Sequence, residues 1–225
     1  MKKKNVRGIF VKNGKIQVAN IIVLILIVGI ITVVVSMNVH KKNVARDESI
    51  ATSLSTSKIE ASESAKKAAE AAKKQAFIKK VAPEAQKMRK QYKVFASITI
   101  AQAILESDWG TSSLAKDYNN LFGIKGTGAR AKDFKTKEQE KDGTWKTVTA
   151  KFIVFKDWDE SIMSHSKLLA NGNTWNKTQF ADVLSAATYE DAAAALVVDG
   201  YATDNDYSTK LTDIIKQYNL DQYDK

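Results

Sequence analysis

A chain of 225 residues with 44% hydrophobic content is long enough for one medium domain plus appendages. It has no cysteine and only two histidines, His40 and His165, which excludes disulfides and thiolate sites and leaves little for a histidine-rich centre; no metal and no other cofactor is expected. The formal charge of +10 is concentrated at the start, where Lys2, Lys3, Lys4, Arg7, Lys12 and Lys15 stand without an acid, so the remainder is close to +4 and no nucleic-acid partner is indicated.

Residues 1–17 read as a basic segment, and the uncharged run from Ile21 to Met37, extended by Val18 to Asn20, reads as a membrane-spanning helix over 18–37. Its β-branched content is poor for a soluble helix, but in lipid the backbone has no partner outside itself. The excess of Lys and Arg before the run predicts a cytoplasmic N-terminus and an extracellular remainder. A signal sequence cut near Met37 is the rival reading, although no Ala-x-Ala precedes that point. In both cases the C-terminal part is exported. Residues 38–75 are a stalk. Ser, Thr, Ala, Lys and Glu dominate it, and ESAKKAAEAAKKQA favours helix without large side chains to bury.

The globular domain is expected over 76–225 and should act as a monomer. Its first helix turns Phe77, Ile78, Val81, Ala85 and Met88 inward, with a start or kink near Ala82 set by Pro83. The stretch AQAILESDWG from Ala101 to Gly110 follows. Ile98, Ala101, Ile104 and Leu105 repeat at helical spacing, and Ser97 is placed to cap the N-terminus. Glu106 falls in the last turn, where the helix dipole and apolar neighbours both disfavour a charged carboxylate. A carboxyl group kept partly protonated near neutral pH is what general-acid catalysis requires. A short helix around Ser112 to Lys116 is followed by NNLFGIKG, Asn119 to Gly126, expected along one wall of a cleft. Residues 129–155 hold the convincing β-structure: a hairpin turning at Lys141-Asp142-Gly143, with TWKTVTAKFIVF as its second strand. Helices follow over 157–170, 179–185, 190–198 and 206–218. The turn-forming loop Asp199-Gly200-Tyr201-Ala202-Thr203-Asp204 precedes the last of them.

The run AQAILESDWGTSSLA, followed by NNLFGIKG, closely resembles glycoside hydrolase family 73, the peptidoglycan endo-β-N-acetylglucosaminidases of the lysozyme-like superfamily. The resemblance implies a mainly α, lysozyme-like helical domain with a small β-hairpin lobe, here preceded by one transmembrane helix and a stalk. It implies a cell-wall hydrolase, or autolysin, that cuts the β-1,4 bond after N-acetylglucosamine. Peptidoglycan strands are then its partner and membrane lipid meets the N-terminal helix. Glycoside hydrolysis normally needs two carboxylates. Glu106 fills the acid role, and the resemblance places the second in a Thr-x-Glu of the hairpin, matched by Thr136-Lys137-Glu138. Glu140 competes with Glu138, because both stand on one face of the first strand with Phe134 and Thr136.

Tyr201 matches the tyrosine of the family's motif at the active-site border and is expected to bind an N-acetyl group or orient water. Trp109 and Phe122 are candidates for sugar stacking, and Asn119 and Asn120 for hydrogen bonds to the glycan. With Thr136 these complete the expected substrate contacts. Asp204 is expected as an N-cap of the last helix, and Asp108 to face solvent. Two other readings compete: a lytic transglycosylase or muramidase on the same fold, which needs one catalytic Glu, and a non-catalytic wall-binding module.

Overall fold

The computed structural model describes residues 11–12, 15–16, 18–139 and 145–225, with backbone alone for 11–12, 15–16, 18–20, 51, 136–139 and 145. The chain divides into two units, Met1–Ala68 and Ala69–Lys225. In the first unit, two-residue strands β1 (Val11–Lys12) and β2 (Lys15–Ile16) pair antiparallel, which the sequence reading did not anticipate. Helix α1 spans Val18–Tyr92. Its apolar part exposes one large side chain after another, Ile25 and Ile30 at 64% each, and is long and apolar enough to cross a membrane. The Ser- and Thr-rich part from Ser49 to Ser57 is a weak helix former by propensity. Here its hydroxyls donate back to carbonyls three or four residues earlier, as Ser49 does to Arg46 and Thr52 to Glu48, so they stop competing for the backbone.

In the second unit the inward face of α1 is the one expected. Phe77, Ile78, Val81, Ala85 and Met88 are all buried at helical spacing. Pro83, however, lies inside the helix, which neither starts nor ends there. Helix α2, Ala96–Ser107, is buried along nearly its whole length and packs against the last helices of the chain. Ser97 does not cap it. Phe95 occupies the cap position without a side-chain bond, and the Ser97 N–H donates instead to Asp224 Oδ1 at 3.0 Å. An anion from the far end of the chain thus meets the positive end of the helix dipole. At the other end Asp108 adopts a left-handed conformation, and Gly110 (φ +74°) lets the chain pass under two aromatic rings. A Cβ there would lie 2.5 Å from Trp158 and 2.9 Å from Phe77.

Helix α3 (Ser113–Asp117) is capped by the Ser112 hydroxyl, and α4 (Trp158–Asn171) by the Asp157 carboxylate. Strands β3 (Ala131–Gln139) and β4 (Trp145–Ile153) pair antiparallel in a register running from Ala131 opposite Ile153 to Gln139 opposite Trp145. The expected turn at Lys141-Asp142-Gly143 lies outside the described residues. Helices α5 (Ala181–Ser185), α6 (Tyr189–Val198) and α7 (Tyr207–Tyr218) follow, and the 3-10 helix Leu220–Asp224 closes the domain. The second unit is mainly helical with one small antiparallel sheet, in keeping with a lysozyme-like arrangement.

Candidate active site

A cleft of about 740 Å³ opens between the C-terminal end of α2, the Phe122–Lys125 segment, the end of α4 and the Gly200–Tyr207 loop. The Phe122–Lys125 wall is tied to the hairpin by backbone bonds: Ile153 N–H donates to Ile124 O at 3.0 Å, and Gly126 N–H to Lys151 O at 3.1 Å. Among the described residues, Glu106 and Asp204 are the carboxylates that line it.

Glu106 stands at the end of α2, and Tyr207 Oη donates to its Oε1 at 2.7 Å. Tyr207 Oη in turn accepts from Gln102 Nε2 at 3.1 Å, one helical turn below Glu106. By accessible surface Glu106 is exposed, because it faces the open cleft. Protein atoms crowd the carboxylate on its other sides, and that crowding governs its ionisation. Burial pushes its pKa above the ordinary carboxylate value, while the bond from Tyr207 pulls the other way. Burial also drives the phenol pKa values of Tyr207 and Tyr201 far up, so both remain neutral hydroxyl donors. One carboxylate oxygen is therefore held by the protein, on an exposed residue that lines the cleft.

Tyr201 lines the cleft, half-buried, with its ring 5.9 Å from that of Tyr207 and 6.0 Å from that of Phe180. Phe122 also lines it and is stacked from behind by His165, with ring centroids 4.0 Å apart and planes 14° off parallel. His165 is fully buried and meets Tyr201 edge-on at 5.9 Å; burial pushes its pKa down to about 3, so the imidazole is neutral. Both aromatic walls thus rest on one uncharged ring. Asp204 is not the helix cap. Its Oδ1 accepts from Asp206 N–H at 3.0 Å and its Oδ2 pairs with Lys210, and both contacts keep its pKa below the usual range.

Three of the expected sugar contacts sit elsewhere. Asn120 is buried, and its amide is fully occupied: Nδ2 donates to Ile124 O and Ile153 O at 3.0 Å each, and Oδ1 accepts from Ile124 N–H at 2.9 Å. Asn119, in a left-handed conformation (φ 52°), donates to the carbonyls of Phe155 and Lys156. The two amides pin the cleft wall to β4 and its exit, because backbone groups that leave a strand need partners. Trp109 packs edge-on against Phe77 and Tyr218, with Lys74 Nζ 5.3 Å above its ring. It belongs to the support of α2 rather than to the cleft.

Glu138 lies in β3 opposite Lys146, and Thr136 opposite Val148, with side chains outside the described residues. Glu140 lies outside them altogether. Tyr207 and His165 were not among the expected site residues. For Tyr207 the signal was present, six residues after Tyr201 on the buried face of an amphipathic helix. For His165 the signal was a lone histidine on the helix face of Ile162 and Leu169, which by itself reads as core.

Residues 82–220 match the glucosaminidase family, described as mannosyl-glycoprotein endo-beta-N-acetylglucosaminidase. The chain is 45% identical over 164 residues to the exo-glucosaminidase LytG of Bacillus subtilis, covering 72% of this chain and 58% of that protein. It is 40% identical to a probable N-acetylmuramidase of Lactococcus lactis, over 67% of this chain and 35% of the other. The chain therefore spans about a third to three-fifths of the length of these relatives. Among solved structures, the catalytic domain of the autolysin Auto from Listeria monocytogenes is 38% identical with a TM-score of 0.63, covering 68% of this chain and 88% of that one. The glycoside hydrolase domain of FlgJ from Salmonella typhimurium is 34% identical with a TM-score of 0.52, over 65% and 97%. From the ordered motif around Glu106 to the Tyr207 that holds it, the matched residues contain the whole described cleft, and the chain belongs to the glucosaminidase family, glycoside hydrolase family 73.

Proposed function

We propose that this protein is a peptidoglycan hydrolase that cuts the β-1,4 bond on the reducing side of N-acetylglucosamine, with Glu106 as general acid. The observation that carries this reading is the state of Glu106: raised in pKa by burial, held at Oε1 by Tyr207, and lining the cleft. The proton passes from Glu106 to the glycosidic oxygen as the anomeric C–O bond breaks, so the sugar leaves as an alcohol rather than an alkoxide. Water then adds to the anomeric carbon and loses its proton to a base. Glu138 is our candidate for that base, on the strength of Thr136-Lys137-Glu138, with Thr136 beside it in the substrate path. Tyr201 and Phe122 supply the donor and the apolar wall against which an N-acetylglucosamine unit rests.

The N-terminal part of α1 is proposed as a membrane anchor for residues 18–37, with 38–75 as a stalk and the catalytic domain, a monomer, outside the cell. Its support is the exposed apolar surface of α1 and the basic lead before it. Proteolysis of intact protoplasts is expected to remove the catalytic domain and leave a small membrane fragment. A mature chain beginning near Met37 in the medium would instead show a cleaved signal.

The name of the Bacillus subtilis relative favours a second reading, removal of single N-acetylglucosamine residues from strand ends. Digestion of purified walls with the full chain in detergent, followed by mass spectrometry, decides among the reactions. Internal cuts give fragments with reducing N-acetylglucosamine, and end-wise cuts give the free sugar. Anhydro-sugar ends would mark a transglycosylase. No products from wild type, with wall binding intact, would mark a binding module.

A further inference from the structure

Trp175 is 85% exposed, an uncommon state for the largest apolar side chain. It stands between α4 and α5, in a segment whose backbone is tied down at many points. Gly172 (φ +63°) lets the chain fold back on itself; a Cβ there would lie 2.0 Å from Asn176 O. Asn173 Oδ1 accepts from the N–H groups of Trp175 at 3.1 Å and Asn176 at 2.8 Å, and Asn173 N–H donates to Asn176 O at 3.0 Å. Asn173 Nδ2 donates to Gln179 Oε1, and Gln179 Nε2 donates to Asp199 O at 3.0 Å. Asn173 and Gln179 both line the cleft that holds Glu106.

The side chain that lines the cleft is thus the one that holds the Trp175 backbone. A large flat ring is presented to solvent by a braced loop, two residues from Asn173, which lines the cleft together with Gln179. A pyranose ring has an apolar C–H face and polar edges; the exposed indole suits the face, and the second amide proton that Asn173 Nδ2 and Gln179 Nε2 each keep beyond their internal bond suits the edges. Because the backbone is already ordered, little chain entropy is lost when a ligand seats there.

We propose that Trp175 is a stacking platform for a sugar of the glycan strand where it runs out of the cleft, with Asn173 and Gln179 along the way. The inference rests on the reading of the cleft as glycan-cleaving. It makes Trp175 a determinant of strand length, separate from the bond-breaking residues.

The test compares Trp175→Ala, Trp175→Phe and wild type, each as the full chain in detergent, on a tetrasaccharide and on long glycan strands. Trp175→Ala is expected to raise KM on long strands roughly tenfold, the loss typical of a stacked tryptophan, with kcat unchanged. Its KM on the tetrasaccharide stays at the wild-type value, and Trp175→Phe retains most of the long-strand affinity. Equal KM values for Trp175→Ala and wild type on long strands overturn the proposal. An equal rise on both substrates also overturns it, because the residue then acts on the cleft itself. Binding to purified walls, measured by sedimentation in a Glu106→Gln background, separates this proposal from the reaction. Trp175-dependent binding by a protein whose wild type cuts no glycan leaves the platform standing and removes the hydrolase reading. Cleavage by wild type with binding indifferent to Trp175 does the reverse.

Discussion

The hydroxyl of Tyr207 donates a 2.7 Å hydrogen bond to Glu106 Oε1 across 101 residues of sequence. The Tyr207 oxygen in turn accepts from Gln102 Nε2, so α7 and α2 are joined at the carboxylate by a short chain of polar groups inside an otherwise apolar packing. Burial and this bond act on Glu106 in opposite directions, and burial prevails, so its pKa lies above the ordinary carboxylate value.

Replacing Tyr207 by Phe keeps the ring and removes the donor. Glu106 then loses the contact that opposes burial, so its pKa rises further. A general acid works while protonated, and the alkaline limb of the kcat/KM profile is expected to move to higher pH. The buried Gln102 amide loses its acceptor, at a cost of about 1–3 kcal/mol in urea unfolding. A profile identical to wild type would show that the bond does not tune the acid.

Glu106→Gln removes the transferable proton and is expected to lower kcat by about 10²–10⁴-fold. Its effect on stability has the opposite sign. A raised folded-state pKa means that the folded protein binds more protons than the unfolded chain. The contribution of Glu106 is thus fully present below the ordinary value of 4.5 and is lost as pH rises through the raised value. The variant escapes that loss, so its Tm relative to wild type should increase from pH 4 to pH 7. A Tm difference constant over this range would contradict the ionisation assigned to Glu106.

His165 predicts the reverse slope. Its pKa is pushed down to about 3 from 6.5, so its neutral form favours folding above pH 6.5, and that stability is lost progressively as pH falls toward 3. His165→Phe can keep the stack on Phe122 without a titrating group. Acid unfolding of the variant should begin at lower pH than that of wild type, as followed by circular dichroism. Coincident acid transitions would place the acid sensitivity elsewhere.

Asn120→Ala separates a structural role from sugar binding. Three hydrogen bonds to Ile124 and Ile153 are lost; Ile124 O keeps the N–H of Ile153, while Ile124 N–H and Ile153 O lose the amide at about 1–3 kcal/mol each. Urea denaturation should show a destabilisation of several kcal/mol. A rise in KM with unchanged stability would return Asn120 to the substrate.

Glu138→Gln and Glu140→Gln test the second carboxylate. Glu138→Gln is expected to abolish turnover while wall binding persists, with azide restoring part of it by replacing the activated water. Glu140→Gln is expected to behave like wild type. The opposite pattern would move the base from Glu138 to Glu140.

The sequence alone determined what depends on neighbours within a turn or two. Apolar spacing marked the buried faces of α1 and α2, and helices were legible around Ser112 to Lys116 and over 157–170. Strand alternation located the hairpin, and the motif from Ala101 to Gly126 carried the family. Tertiary structure decided what depends on partners far apart in the chain. Ser97 has the right chemistry for a cap, yet Asp224, 127 residues away, takes its place. Asn119 and Asn120 have the right chemistry for a glycan, yet the end of β4 and its exit take up the N–H groups of Asn119 and engage the Asn120 amide. Tyr201 and Tyr207 are alike in sequence, and only the packing of α7 on α2 brings the second hydroxyl to Glu106. Local periodicity follows from backbone geometry, which any short window contains; the choice among competent polar side chains follows from which groups packing leaves unpaired.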